Sequence, residues 1–151
     1  MDNDIREKAR ELIRKQGTCV LATSAKNHPH CSLMAYACNE KCSELYMLTG
    51  RETRKYKNLM ENPAVSILID TRGSTLESDH EGTTALTLSG KFEPVILRSE
   101  ETGMREAIKT RHPGLGDLLD DPETEVVRIK NESFLLLMGP KDAYYEENAT
   151  W

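Results

Sequence analysis

The residues best placed to do chemistry lie in TGRETRKYKNLMENP, Thr49 to Pro63. In a chain of net charge −5, the segment Arg51 to Lys57 sets four cations (Arg51, Arg54, Lys55 and Lys57) against one carboxylate, Glu52. Thr53 reads as a helix N-cap, its hydroxyl able to accept from a free backbone N–H two or three residues on. Tyr56, Leu59 and Met60 fall at i, i+3 and i+4, one face of a short helix. Asn62-Pro63 ends that helix, because the residue before proline is pushed out of the helical region. Arg54, Lys55 and Lys57 therefore crowd a helix start, where the macrodipole is positive and acids are the usual occupants. Three cations are favourable there if an anion shares the place, with free N–H groups, a hydroxyl, a guanidinium and an ammonium converging on a phosphate. The alternative is a solvated basic face on a surface helix.

Other chemistries fit less well. Cys38 and Cys42, with His30 and Cys31 nearby, lack the paired spacing of a structural zinc site, and strand alternation sets Cys31 and Cys38 on opposite faces. His28 and His30 flank a turn proline, and His112 precedes Pro113 at a helix end. Asp79, His80 and Glu81 share a polar loop that reads as solvated. The sequence holds no Ser-His-Asp set, P-loop or dinucleotide fingerprint.

The elements that position the basic stretch follow from periodicity. Ile5, Ala9, Leu12 and Ile13 share one face of an N-terminal helix that ends near Gly17. Strands are expected over Thr18–Ser24, His30–Cys38, Ser43–Thr49 and Ala64–Asp70. The last alternates Val65, Ile67 and Ile69 against Ser66, Leu68 and Asp70. AKNHP and NEKC form the first two turns. Thr71–Gly82 reads as a polar loop and Thr83–Leu97 as a long strand bent at Gly90. A helix follows, with Ser99 and Thr102 as caps, broken at Pro113-Gly114. Thr124–Gly139 reads as a strand or hairpin before the acidic, aromatic tail PKDAYYEENATW. Tyr144, Tyr145 and Trp151 either cover a ligand or tie that tail down. Tight turns between strands imply antiparallel pairing. About six strands around one core imply a mainly β, barrel-like domain over residues 1–151, with short helices at its gaps and ends.

Composition bounds the rest. At 151 residues, a single domain buries about two-thirds of its unfolded surface. A pI near 5.4 argues against general nucleic-acid binding, and no apolar run reaches membrane-spanning length. MDNDIREKARELIRKQG has no apolar signal core, so the cytoplasm is the expected compartment and reduced thiols the expected state of the four cysteines.

These residues carry a resemblance. Leu21-Ala22-Thr23, then Pro29-His30 opening a second strand, Leu48-Thr49 closing a third, Thr53-Arg54-Lys55, Asn58-Leu59, Asn62-Pro63 and a β-run ending at Asp70 resemble the pyridoxamine 5'-phosphate oxidase-like superfamily of FMN-binding split β-barrels. The resemblance is weakest after about residue 97. It implies an antiparallel six-stranded split barrel. It also implies an FMN phosphate held by Leu48, Thr49, Thr53, Arg54 and Lys55, with the flavin ring laid along Ser32, Leu33 and Met34. It further implies a homodimer with FMN at the subunit interface, acting as an oxidoreductase on a small substrate. The authentic oxidases carry a basic residue opening the flavin-contacting strand and an Arg-rich C-terminal segment. Here His30-Cys31 and KDAYYEENATW stand in those places, and Ala85 stands where the oxidases can place a glutamine. The resemblance therefore extends to the flavin site but not to pyridoxamine 5'-phosphate as substrate. A non-catalytic flavin-binding or sensing protein, and use of the fold for a deazaflavin or haem, are the other readings.

Overall fold

A computed structural model describes residues 3–72 and 82–151. The polar loop expected over Thr71–Gly82, with Asp79, His80 and Glu81, falls mostly on 73–81, outside the described residues. The chain opens with helix α1 (Asn3–Lys15), which buries Ile5, Ala9, Leu12 and Ile13 as the periodicity requires. Strands β1 (Thr18–Ala25) and β2 (His28–Ala35) form a hairpin. Its two loop residues, Lys26 and Asn27, have φ of 50° and 66°. Two positive φ values in a two-residue loop match the right-handed twist of the flanking strands. Strands β3 (Ala37–Cys38) and β4 (Glu44–Gly50) form the next hairpin, and β4 leads into helix α2 (Arg54–Glu61). Strands β5 (Ala64–Asp70) and β6 (Thr84–Phe92) pair next to each other. Helices α3 (Arg98–Arg111) and α4 (Gly116–Asp120) follow, with a 3-10 turn at Pro113–Leu115 between them. Strands β7 (Thr124–Met138) and β8 (Asp142–Glu146) complete the described chain.

The fold is mainly β with flanking helices, and every strand pairing is antiparallel. The sheet has eight strands rather than six, in the order β2-β1-β5-β6-β7-β4-β3 with β8 added to β7. Two local events make the difference. Tyr36 interrupts the strand expected over His30–Cys38. Its N–H is taken by the Gly17 carbonyl at 3.0 Å and its hydroxyl donates to the Ile13 carbonyl at 2.6 Å. The chain thus leaves β1 and re-pairs with β4 as β3. The tail also alternates, Tyr144 half-buried and Tyr145 exposed, and adds to β7 as β8.

The expectation for Thr124–Gly139 resolves to one 15-residue strand, β7, which pairs with β6, β4 and β8. The long strand expected to Leu97 stops at Phe92, before Glu93-Pro94. The register of β6 against β7 slips between Ser89 and Gly90, the bend expected at this glycine. A Cβ at Gly90 would stand 2.5 Å from the Lys130 carbonyl oxygen, so only glycine fits. Helix α3 starts at Arg98 with no side-chain cap, and the expected caps Ser99 and Thr102 lie inside it. There the Thr102 hydroxyl donates back to the Arg98 carbonyl at 3.0 Å.

The main core joins α1 to the inward residues of the sheet, including Leu21, Met47, Ile67, Leu88, Ile129 and Phe134. A second cluster of Tyr46, Leu48, Met104, Ile108 and Val126 packs α3 against the other face of β4. Coverage on both faces buries five consecutive residues of β4, Leu45 to Thr49, where alternation alone would expose every second one. That burial fixes the end of β4 and the start of α2, from which the basic stretch is displayed.

Candidate functional site at the start of helix α2

Helix α2 starts as its residues dictate. Thr53 is the N-cap, in extended backbone, and its Oγ1 accepts from the Tyr56 N–H at 3.3 Å. Asn62 is the C-cap before Pro63. The buried face of α2 is Asn58 and Leu59 rather than Leu59 and Met60, and Met60 is 61% exposed. The rotation has a polar cause. Asn58 Nδ2 donates to Thr23 Oγ1 on β1 at 3.1 Å, a buried bond that latches α2 to the sheet.

Thr49 and Thr53 stand together at the helix start, their hydroxyl oxygens 2.9 Å apart. Thr53 also donates to the Gly50 carbonyl at 2.9 Å. A hydroxyl has one proton, so Thr49 is the donor of the pair. Both protons are then committed, and the two hydroxyls shape the corner while other groups offer the free donors. Those donors are the N–H groups of Arg54 and Lys55, which meet no acceptor among the described residues, as the first N–H groups of a helix do. The Lys55 ammonium and the Arg54 guanidinium join them.

The four cations separate into two kinds. Arg51 binds Glu125 at 2.7 Å and Glu123 at 3.4 Å and donates to the Pro122 carbonyl at 3.3 Å. Lys57 faces Glu52 at 3.5 Å. Arg54 and Lys55 form no ion pair with any described residue, and no acidic residue lies in the first turn of α2. The structure therefore uses Arg51 to tie the end of β4 to the start of β7, and leaves Arg54 and Lys55 free.

A cleft of about 290 Å³ opens beside this corner. Leu33, Met34 and Ala35 of β2 form one wall, and Leu48, Thr49 and Gly50 of β4 the other, with Thr53 and Lys55 at one end. Six of the eight residues expected to hold a cofactor thus line a single cleft. Ser32 and Arg54 do not line it. Ser32 is half-buried on β2, one residue before the wall. Arg54 is exposed and borders a neighbouring cleft of about 680 Å³ with Lys26, His28 and Pro29. Leu115 and Leu118 also line the first cleft. The sequence signal for Leu118 is the apolar pair Leu118-Leu119 in Gly116–Asp120, too short to show which way it faces, and Leu115 stands alone between two glycines. The C-terminal aromatics lie elsewhere. Trp151 packs on Phe134 with ring centroids 5.4 Å apart, tying the tail to the core.

A curled antiparallel sheet with a basic helix start at its rim defines a class, and comparison with known proteins agrees. The family model described as pyridoxamine 5'-phosphate oxidase matches residues 5–137, and the chain belongs to that family. The fold is the split β-barrel. Among solved structures, a haem-binding protein from Mycobacterium smegmatis superposes with a TM-score of 0.85 at 19% identity, over 98% of this chain and 60% of that one. The haem-storage protein HutZ from Vibrio cholerae gives 0.72 at 20% identity, over 88% and 93%. A putative pyridoxamine 5'-phosphate oxidase from Listeria innocua gives 0.68 at 20% identity, over 89% and 99%. No curated protein matches the sequence. No helix among the described residues is long and apolar enough to cross a membrane.

Proposed function

We propose that the protein binds FMN in the cleft between β2 and β4, and that it works as an oxidoreductase on a small substrate. One observation carries the reading. In a basic stretch whose other cations are paired, Arg54 and Lys55 have no ion-pair partner among the described residues, at a helix N-terminus whose first N–H groups also meet no acceptor among them. A phosphate in the cleft satisfies the two N–H groups and Lys55 at once. Lys55 and the two N–H groups would hold it, and Arg54 would add charge from the adjoining cleft. Leu33, Met34 and Leu48 supply the apolar walls that a flavin ring needs. Bound FMN would supply the hydride or electron transfer, while the chain orients it and sets the polarity around it.

At about 290 Å³ the cleft is at the small end for a ligand of this size, and Leu33 on the edge strand β2 is 77% exposed. A second copy completing the groove accounts for both, so the FMN-binding form is proposed to be a homodimer. Light scattering that shows a monomer binding FMN tightly would refute this.

Haem is the second reading, supported by the solved neighbours named for it. The same cations would suit its propionates. Against it, no His, Cys or Tyr lines the cleft among the described residues, and its Met34 is buried. The spectrum of the purified protein separates the two, flavin bands against a Soret band. Calorimetry with FMN and riboflavin then tests the phosphate site, since the cations act only on the phosphate. Equal affinity for the two would sink the proposal. A bound flavin that no reductant turns over would assign the protein to flavin sensing instead.

A further inference from the structure

At the turn between β3 and β4 the structure assembles a cluster that the flavin reading does not use. Cys38 ends β3 and Cys42 follows in the turn to β4. Four hydrogen bonds close that turn, one of them from Asn39 Nδ2 to Ser43 Oγ at 2.8 Å. Cys42 N–H donates to the Asn39 carbonyl at 3.1 Å, Asn39 N–H to the Glu44 carbonyl at 3.2 Å, and Glu44 N–H to Asn39 Oδ1 at 3.0 Å. Cys42 adopts a φ of 63°, left-handed backbone that a non-glycine residue holds only at a cost. The turn thus folds back on itself, with Cys38 at its start and Cys42 near its end, both packed against the main core. None of the four cysteines is in a disulfide.

The two thiols differ in access. Cys42 is fully buried, with Sγ directed at the Arg10 carbonyl 3.9 Å away. Cys38 is half-buried and lines a cleft of about 440 Å³ between α1 and α3, together with Ile13, Arg14, Tyr36, Thr110 and Arg111. Two guanidiniums therefore border the cavity onto which Cys38 opens. Arg14 also donates to the Glu40 carbonyl within the turn at 3.3 Å, and Arg111 to the Lys15 carbonyl at 3.0 Å, so both are held in place.

We propose that Cys38 and Cys42 form a reactive dithiol that takes hydrogen peroxide from this cleft, with Cys38 as the attacking thiol and Cys42 as the resolving one. The electrostatics agree with the geometry. The neighbouring Cys42 thiol holds the Cys38 thiol below its ordinary value against the opposing effect of burial, with Arg14 and Arg111 adding to the lowering. Cys42 is raised by the neighbouring Cys38 and by burial. A thiolate is the nucleophile in such chemistry, and a neighbouring cation favours it.

The step balances. The Cys38 thiolate attacks the peroxide, an S–O bond forms and the O–O bond breaks. The leaving hydroxide takes a proton and departs as water, with the sulfur oxidised to sulfenic acid and the peroxide reduced. The Cys42 sulfur then attacks the Cys38 sulfur, an S–S bond forms, the S–O bond breaks, and the hydroxyl leaves as a second water with the Cys42 proton. Two thiols and one peroxide give one disulfide and two waters. Closing the bond draws Cys42 Sγ away from the Arg10 carbonyl.

The test uses the full chain under native conditions. Stoichiometric hydrogen peroxide should remove two hydrogens from the intact mass and leave two of the four cysteines open to alkylation after denaturation. Dithiothreitol should restore all four. Cleavage at Lys41 puts Cys38 and Cys42 on separate peptides, so the disulfide appears as a cross-link between them. In Cys42→Ser the oxidation should stop at a sulfenic acid on Cys38 that dimedone traps. In case that variant does not fold, a second readout uses the wild type. At limiting iodoacetamide Cys38 should be alkylated roughly threefold or more faster than the exposed Cys31. A cross-link through Cys31, no loss of two hydrogens, or Cys31 reacting as fast as Cys38 would each overturn the proposal.

Discussion

Replacing Lys55 with glutamate sets the phosphate reading against the surface-helix reading, because the two give opposite signs. Lys55 is the second residue of α2, half-buried, with no ion pair among the described residues. The folded protein without ligand therefore loses no contact on substitution. A carboxylate in the first turn is favoured by the macrodipole by a few tenths to about 1 kcal/mol. Apo stability should hold or rise slightly.

FMN binding should move the other way. Losing a charge-assisted hydrogen bond costs about 1.5–3 kcal/mol, which at about 1.4 kcal/mol per decade is roughly tenfold to 150-fold in affinity. A carboxylate facing the phosphate adds repulsion on the order of 1 kcal/mol after screening at a half-exposed site. Riboflavin affinity should stay within about twofold, since it presents nothing to Lys55. The assay is calorimetry with both ligands and a melting curve of the apo-protein. The reasoning is refuted if FMN affinity is unchanged, or if riboflavin weakens as much as FMN. Arg54→Glu should weaken FMN in the same direction but less, because Arg54 borders the neighbouring cleft.

Thr53→Ala removes the cap bond to Tyr56 and the contact with Thr49; about 1 kcal/mol of stability and roughly 2–4 °C in Tm should go, and Thr53→Ser should restore most of it. Gly90→Ala forces a Cβ against the Lys130 carbonyl and should cost about 1–3 kcal/mol, read as a lower urea midpoint; an unchanged midpoint would mean that β6 and β7 separate freely. Burial raises the Cys19 thiol from 9.0 to about 12, so between those values the unfolded chain releases a proton that the folded chain keeps. The stability tied to Cys19 is then fully present below about pH 9 and lost as pH rises towards about 12. Urea midpoints measured from pH ~8 to ~11 should fall more steeply in the wild type than in Cys19→Ala.

Much of this could be read from residue types alone. The cap at Thr53, the stop at Asn62-Pro63 and the irregularity at Gly90 each rest on local chemistry that tertiary structure had no reason to override. The inward set Val65, Ile67 and Ile69 is likewise local, a period of two. The misses were non-local. Nothing near Tyr36 shows that its N–H will be claimed by Gly17 and its hydroxyl by Ile13, so the local pattern reads β2 and β3 as one strand. Spacing puts Met60 on one face with Leu59, but Asn58 finds its partner Thr23 on β1 and it is Asn58 that is buried beside Leu59. Arg54 and Lys55 looked equivalent as neighbours in the sequence. Successive helix positions point about 100° apart, and each residue borders a different cleft. The pairing of Arg51 with Glu123 and Glu125 spans more than seventy residues, beyond any local pattern.

The register slip opposite Gly90 reaches beyond the two strands that contain it. Ser89 pairs with Ser133 and Gly90 with Asn131, so Glu132 is left out of the ladder with β6. Its carbonyl is taken instead by the Ala149 N–H at 2.6 Å, and next to it Asn131 holds the turn of Ser43 and Cys42 through its N–H and its side-chain amide, both at 2.9 Å. One irregular residue pair thereby fastens two separate segments, the C-terminal tail and the cysteine-bearing turn, to the middle of the longest strand. Amide hydrogens in those two segments should therefore exchange with solvent as one cooperative unit, opening together when the junction at Asn131 and Glu132 opens rather than fraying independently.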